Sequence, residues 1–153
     1  MKHGYLGQFA ALLAAVCLAT GALAQMRHEG DDDAPKPMGP AFKNFPLDQT
    51  WSLRMLNDKP VPAGLDVSLQ IDGNLRGSGY TGCNTWSATL YPIKDQKLLM
   101  GPVALTKKQC DKDVMAIELG FLSALLGQPS WDLVNGQLVV KGPRGNLRFD
   151  RSL

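Results

Sequence analysis

The sequence predicts a mainly β domain: a small antiparallel β-barrel-like meander with one packed α-helix. Three observations lead there. Apolar and polar residues alternate in several short runs, the pattern of strands with one face buried. Turn signals such as Asn135-Gly136 punctuate those runs at short intervals. A single segment, after Cys110, changes to a helical period bounded by start and stop residues.

Taken in order, Trp51, Leu53 and Met55 alternate with polar residues, as do Leu65, Val67, Leu69 and Ile71. Asp72-Gly73-Asn74 then marks a tight turn. Glycines 77, 79 and 82 punctuate the approach to Cys83-Asn84. Residues 85–91 and 97–103 are two further strands, separated by Pro92 and the polar Lys94-Asp95-Gln96. Residues 131–134 and 138–141 flank Asn135-Gly136 and make the clearest hairpin in the chain. Gly142-Pro143-Arg144-Gly145 turns again into Leu147, Arg148 and Phe149. About seven short strands at this spacing fit a meandering sheet or a small closed barrel.

The helix is expected to start at a cap supplied by Asp111 or Asp113 and to stop at Gly127 and Pro129. Its apolar residues, 114, 115, 117, 119, 121, 122, 125 and 126, cover about 200° of a helical wheel, which predicts broad packing against the sheet. Glu118 lies inside that arc. A carboxylate there must find donors or give up its charge. It could be a tuned acid or an anchor for a cation. Alternatively it accepts hydrogen bonds from a loop or an arginine and locks helix to sheet. With no histidine close by and no second carboxylate beside it in the sequence, the locking role is the better reading.

Ahead of the domain, residues 1–24 read as a secretory signal. Lys2 gives a positive start, Phe9 to Ala19 an apolar stretch, and Ala22-Leu23-Ala24 a cleavage site before Gln25. Residues 25–46 read as a disordered linker with three consecutive aspartates and four prolines. His28, Met26, Glu29 and those aspartates contain metal-ligand chemistry, but a solvated tether accounts for them. The domain proper is expected over residues 47–153. Export implies a periplasmic or secreted protein, with no stable membrane anchor after processing.

Composition excludes several classes. The chain of 153 residues carries 16 Lys and Arg against 14 Asp and Glu. It therefore has no basic excess with which to grip nucleic acid or an anionic membrane. Once the leader is gone His28 is the remaining histidine, which removes His-based triads and His-rich zinc sites. No cofactor or metal is expected. Cys17 leaves with the leader, so Cys83 and Cys110 have one pairing available, and an oxidising compartment makes a disulfide the default. Its loop of about 28 residues would be worth roughly 3.6 kcal/mol on the chain-entropy estimate. Two free redox thiols would want a C-x-x-C spacing that is absent.

The ordered set of residues from Thr50 to Asp150 resembles the META domain family, the HslJ-like heat-shock and motility-associated proteins. The resemblance runs through Trp51-x-Leu53 with Leu56-Asn57, then Gly79-x-x-Gly82-Cys83-Asn84. It continues with Thr106-x-x-x-Cys110, the helix Glu118-x-x-Phe121-Leu122-x-x-Leu125, and the final strands around Leu138 and Leu147-x-Phe149. It implies a small barrel-like domain with one helix behind an export signal, and a role in envelope stress that in some members extends to antibiotic tolerance. It carries no established catalytic site. Trp86 and Ala88 stand where relatives often have small or glycine-rich residues, and Lys107-Lys108-Gln109 replaces an Arg-Met-Ala run. The surface around the cysteines is therefore this protein's own.

These motif residues look like fold devices. Gly79 and Gly82 allow positive φ or close backbone approach, Asn84 can bond its own backbone in a turn, and Thr106 can satisfy a loop amide. Cys83 and Cys110 would pin that loop to the helix start. Tyr80 and Trp86 are either core residues, the commoner fate of strand aromatics, or exposed anchors for a partner. The leading functional reading is a non-enzymatic envelope protein that binds an envelope protein or component through a rigid apolar patch near the Cys83 corner. A carrier of small apolar ligands would instead need a hollow sheet, and a braced loop would also suit a protease inhibitor. An enzyme using Glu118, Asp72 or Asp150 would need those carboxylates to converge.

Overall fold

A computed structural model describes residues 43–152. The leader and linker expected from the sequence, up to residue 42, lie outside the described residues. The chain forms β1 (Trp51–Leu56), β2 (Lys59–Pro60), β3 (Ser68–Ile71), β4 (Arg76–Tyr80), β5 (Thr85–Ile93), β6 (Lys97–Met100) and β7 (Ala104–Leu105). After α1 (Lys112–Leu126) come β8 (Ser130–Val134), β9 (Gln137–Gly142) and β10 (Gly145–Arg151).

All pairings are antiparallel, and the strands run β10-β9-β8-β6-β5-β4-β3-β1-β2, with β7 on β5. A further pairing of β1 with β10 brings the two ends together. The result is ring-like without being a true barrel, because β6 and β8 share one residue pair, Lys97 with Ser130. The mainly β class with one helix is as the sequence predicts. Alternation does the work: Leu69 and Ile71, Trp86, Ala88 and Leu90, Leu98 and Met100, Leu138 and Val140, and Leu147 and Phe149 all turn inward and are buried. Trp86, Phe121 and Phe149 meet edge-on in the middle, with centroids 5.7 and 6.3 Å apart, so the interior is filled by side chains.

The strand boundaries depart from the sequence reading in instructive ways. Pro92 was expected to separate strands and instead lies inside β5, opposite Leu98. The Leu90 amide points toward the β3–β4 side, to the Leu75 carbonyl. Pro92 is two residues on, past the end of β4's pairing at Thr89, so no neighbour is left to want its missing N–H. The Asn135-Gly136 hairpin is as expected, with φ of 52° and 81° at its two central residues. β4 was hidden by its glycines, and β2 and β7 by their two-residue length.

The linker was expected to run to Pro46, but its last residues belong to the domain. Phe45 is buried and packs edge-on against Trp131 at 5.0 Å, while Lys43 pairs with Asp132. Helix α1 lies against the ring with Glu118, Phe121, Ala124 and Leu125 buried. Asp111 holds the cap position without a side-chain capping bond, and Asp113 sits in the first turn, where its charge suits the helix dipole. The buried face is narrower than the apolar arc: Met115 and Leu126 are exposed, and Leu119 is 68% exposed.

Candidate functional site

The residues singled out from the sequence gather at one corner, where the β4–β5 turn meets the segment leading into α1. The turn is built by Thr81, Gly82, Cys83 and Asn84. The Thr81 amide donates to the Asn84 carbonyl at 2.8 Å, and the Asn84 amide donates back to Thr81 Oγ1 at 2.9 Å. Gly82 turns through φ +89°, with Leu65 packed where a side chain would project. Gly79 is needed for a different reason: a Cβ there would lie 2.0 Å from the Ser68 carbonyl oxygen. That same oxygen accepts the indole N–H of Trp86 at 3.2 Å.

Asn84 is the hub. Its Oδ1 accepts from Thr106 Oγ1 and from the Lys108 amide, each at 2.8 Å. Its Nδ2 donates to Glu118 at 2.9 Å and to the Lys108 carbonyl at 3.3 Å. Both amide atoms thus carry the two partners they can serve. The sequence reading had this side chain serving its own turn; it reaches across instead and ties three segments together. Thr106 Oγ1 accepts the Thr85 amide at 3.1 Å, as a loop-amide partner should.

Glu118 is 5% exposed. One of its oxygens, Oε2, takes both the Asn84 amide and the Thr81 hydroxyl, the latter in a very short contact. Neither of the ion pairs among the described residues involves it: those are Lys43 with Asp132 and Arg54 with Asp150. Its donors are neutral, from a loop, and lock α1 to the β4–β5 turn. The Cys83–Cys110 bridge closes the corner, with Cα atoms 6.0 Å apart. Cys83 is buried and Cys110 is exposed just before α1.

Trp86 and Tyr80 part company. Trp86 is 1% exposed, because its inward position on β5 places it over Gly79 and against Phe121, so it is a core residue and not a partner contact. Tyr80 is half-buried at the end of β4. The apolar patch expected beside the cysteines is elsewhere, on the outer face of the β5–β6 hairpin and on the outer face of α1. On the hairpin, exposed Tyr91 is paired across the strands with exposed Leu99, next to exposed Ile93.

The three carboxylates weighed for acid–base work are not brought together. Asp72 accepts the amides of Asn74 and Arg76, each at 2.9 Å, and so shapes the β3–β4 turn. Asp150 on β10 accepts from Gln137 at 2.7 Å and Arg54 at 3.0 Å, and these partners hold its carboxyl below the usual range, Gln137 chiefly. Asp132 is lowered likewise, first by the hydrogen bond from Lys43. Thr81 is the residue the sequence reading missed. Its signal was available: a Thr three residues before Asn in a glycine-containing turn is a side-chain-to-backbone turn motif.

A solution NMR structure of a protein from Burkholderia xenovorans has the same fold, with a TM-score of 0.57 and 24% identity over 76% of this chain and 97% of that one. A second NMR structure matches with a TM-score of 0.58 and 19% identity, over 67% of this chain and 87% of the other. No curated protein is significantly similar to the chain in sequence. Residues 44–152 match the META domain, from just before Phe45 to the end of β10, and the chain belongs to the META domain family.

Proposed function

We propose that this META-domain protein is an exported, non-enzymatic interaction module of the cell envelope, serving under stress, that binds an envelope protein or component through the outer face of the β5–β6 hairpin. The observation that carries the reading is the contrast between its polar and apolar groups. At the Cys83 corner, Asn84, Thr81 and Glu118 spend their hydrogen bonds on one another. Tyr91, Ile93 and Leu99 meanwhile stand exposed on a braced sheet. Rigid aromatic and aliphatic side chains held in place before binding lose little entropy on contact. A Cys83–Cys110 bridge suits an oxidising compartment and supports export. The filled interior favours a binding surface over a hollow carrier.

The test is affinity capture from host envelope extract with the exported protein as bait, against a Tyr91→Ser/Leu99→Ser control. A component enriched on the wild type and lost on the control, then bound directly in purified form, supports the reading. Equal capture on both baits rejects this face. A small molecule carried through purification of the wild type would favour the carrier instead.

A further inference from the structure

We infer that the end of the ring away from α1 binds a small monocarboxylate with an apolar tail, the tail seated beside Trp51 and the carboxylate held by Arg151. This site is separate from the β5–β6 hairpin and does not rest on what that hairpin binds. β1 and β10 meet α1 at one end, where Leu56 lies against Gly120 and Gly145 against Ala124. At their other end Trp51 pairs with Arg151. A hollow of about 340 Å³ opens to the surface there, within the size range of small-ligand pockets. Its apolar walls are buried Trp51, half-buried Leu133 and, from the segment entering β1, Pro46 and Leu47. Covering those walls removes apolar surface from water, which is what a hydrocarbon tail supplies.

Charge selects the head of the ligand. Gln49 and Arg151 also line the hollow. The Gln49 amide donates to the carbonyls of Thr50 at 2.9 Å and Ser152 at 3.2 Å, so the side chain is anchored. Its oxygen accepts the Arg151 Nε–H in a very short contact. A neutral partner thus orients the guanidinium without cancelling its charge. The ion pairs among the described residues are Lys43 with Asp132 and Arg54 with Asp150, so those cations are matched and Arg151 has no carboxylate. With Nε engaged, its two terminal nitrogens keep the paired N–H geometry that grips a carboxylate. One guanidinium balances one negative charge, which selects a monocarboxylate over a phosphate dianion. A bare carboxylate would gain no more than an exposed ion pair; the apolar walls add the rest.

The test is an amide NMR titration of the exported protein with octanoate, against acetate and 1-octanol as controls. Octanoate should shift the Gly136 and Arg151 amides and the Trp51 indole N–H, with a dissociation constant of about 0.2–2 mM. Acetate, which lacks the tail, and 1-octanol, which lacks the charge, should each bind at least about fivefold more weakly. Arg151→Gln should weaken octanoate by at least about fivefold and leave 1-octanol unchanged. Leu47→Glu, which sets a negative charge on a wall that is 38% exposed, should abolish the octanoate shifts. Both positions are exposed, and unchanged amide signals elsewhere confirm that each variant is folded. No shift at these groups up to about 10 mM octanoate overturns the proposal. So does octanoate binding that Arg151→Gln does not weaken, or 1-octanol binding as tightly as octanoate. Shifts centred on Tyr91 and Leu99 would place the acid on the hairpin face and overturn it equally.

Discussion

Asn84 and Glu118 stand 34 residues apart in the chain and meet at 2.9 Å, side-chain amide to carboxylate, beneath the bridge that joins Cys83 to Cys110. Remove the amide and three segments lose a shared partner. Asn84→Ala leaves buried Glu118 short of a bond, together with the Lys108 amide and the Thr106 hydroxyl of two exposed residues. Each such loss costs about 1–3 kcal/mol, and the partners can relax together. We expect a total of about 3–4 kcal/mol, measured as a lower denaturant midpoint at unchanged slope. A loss under 1 kcal/mol would mean that water replaces Asn84 freely.

Glu118 allows a graded test. Both of its hydrogen bonds end on one oxygen, and a glutamine can place its amide oxygen there and keep both. Glu118→Gln should therefore cost only about 1 kcal/mol, the charge assistance of two bonds. Glu118→Ala strips the acceptor from Thr81 and Asn84 and opens space beside Phe121, costing about 3 kcal/mol. Equal losses for the two variants would show that the charge matters more than the acceptor.

The pattern of what the sequence revealed follows from range. The strand at residues 51–56 declares itself because period-two alternation is local, and residues 138–141 are found through the Asn135-Gly136 turn, which needs only its own two residues. The same holds for Gly79, Gly82 and the cysteine pair, whose residue types admit few uses. What stayed hidden depended on distant neighbours. Pro92 sits within a strand only because β4 ends before reaching it. Trp86 is buried because Gly79, seven positions earlier, clears a path to the Ser68 carbonyl. Glu118 was legible as an anomaly in an apolar arc, but its donors lie on another element. The width of the helix's buried face was misjudged because periodicity counts apolar residues and cannot tell whether the sheet reaches them; Leu119 is apolar and exposed.

The bridge should matter chiefly through the unfolded chain. Replacing Cys83 and Cys110 together by alanine frees a loop with a sequence separation of 27. The chain-entropy estimate puts the loss at about 3.5 kcal/mol. The hydrogen bonds from Asn84 to the 106–108 segment persist, so the variant should fold to the same secondary structure at a lower melting temperature. Amide exchange should quicken first at the Lys108 N–H, which the bridge helps hold against Asn84. Uniform acceleration across the sheet would show that the corner does not open by itself.

Gly79→Ala separates close approach from turn freedom. The new Cβ would meet backbone, the Ser68 carbonyl, and backbone cannot swing aside as a long side chain can. The β3–β4 pairing and the Trp86 hydrogen bond would have to shift together, at a cost of about 3–5 kcal/mol. At Gly82 the added carbon meets the flexible Leu65 side chain, and the main burden is a positive φ of 89°, so Gly82→Ala should cost about 1–2 kcal/mol. The order of the two melting temperatures checks this. Gly82 as the more sensitive position would place the strain in the turn and not in the sheet.

Acid should weaken the β1–β10 seam through Asp150. Gln137, and after it Arg54, hold its carboxyl below the ordinary carboxylate range. A folded-state value below the unfolded one means the native carboxyl releases its proton more readily. The resulting stability is fully present above the unfolded value of about 3.9 and disappears as pH falls through the folded value. The side chain is 42% exposed and its ion pair screened by solvent, so the effect is modest, about 1–2 °C in melting temperature. Melting curves of the wild type and Asp150→Asn should keep a constant gap above about pH 5 and converge once the pH has fallen through the lowered folded-state value. A gap that persists in strong acid would assign the contribution to packing at β10, where protonation has no purchase.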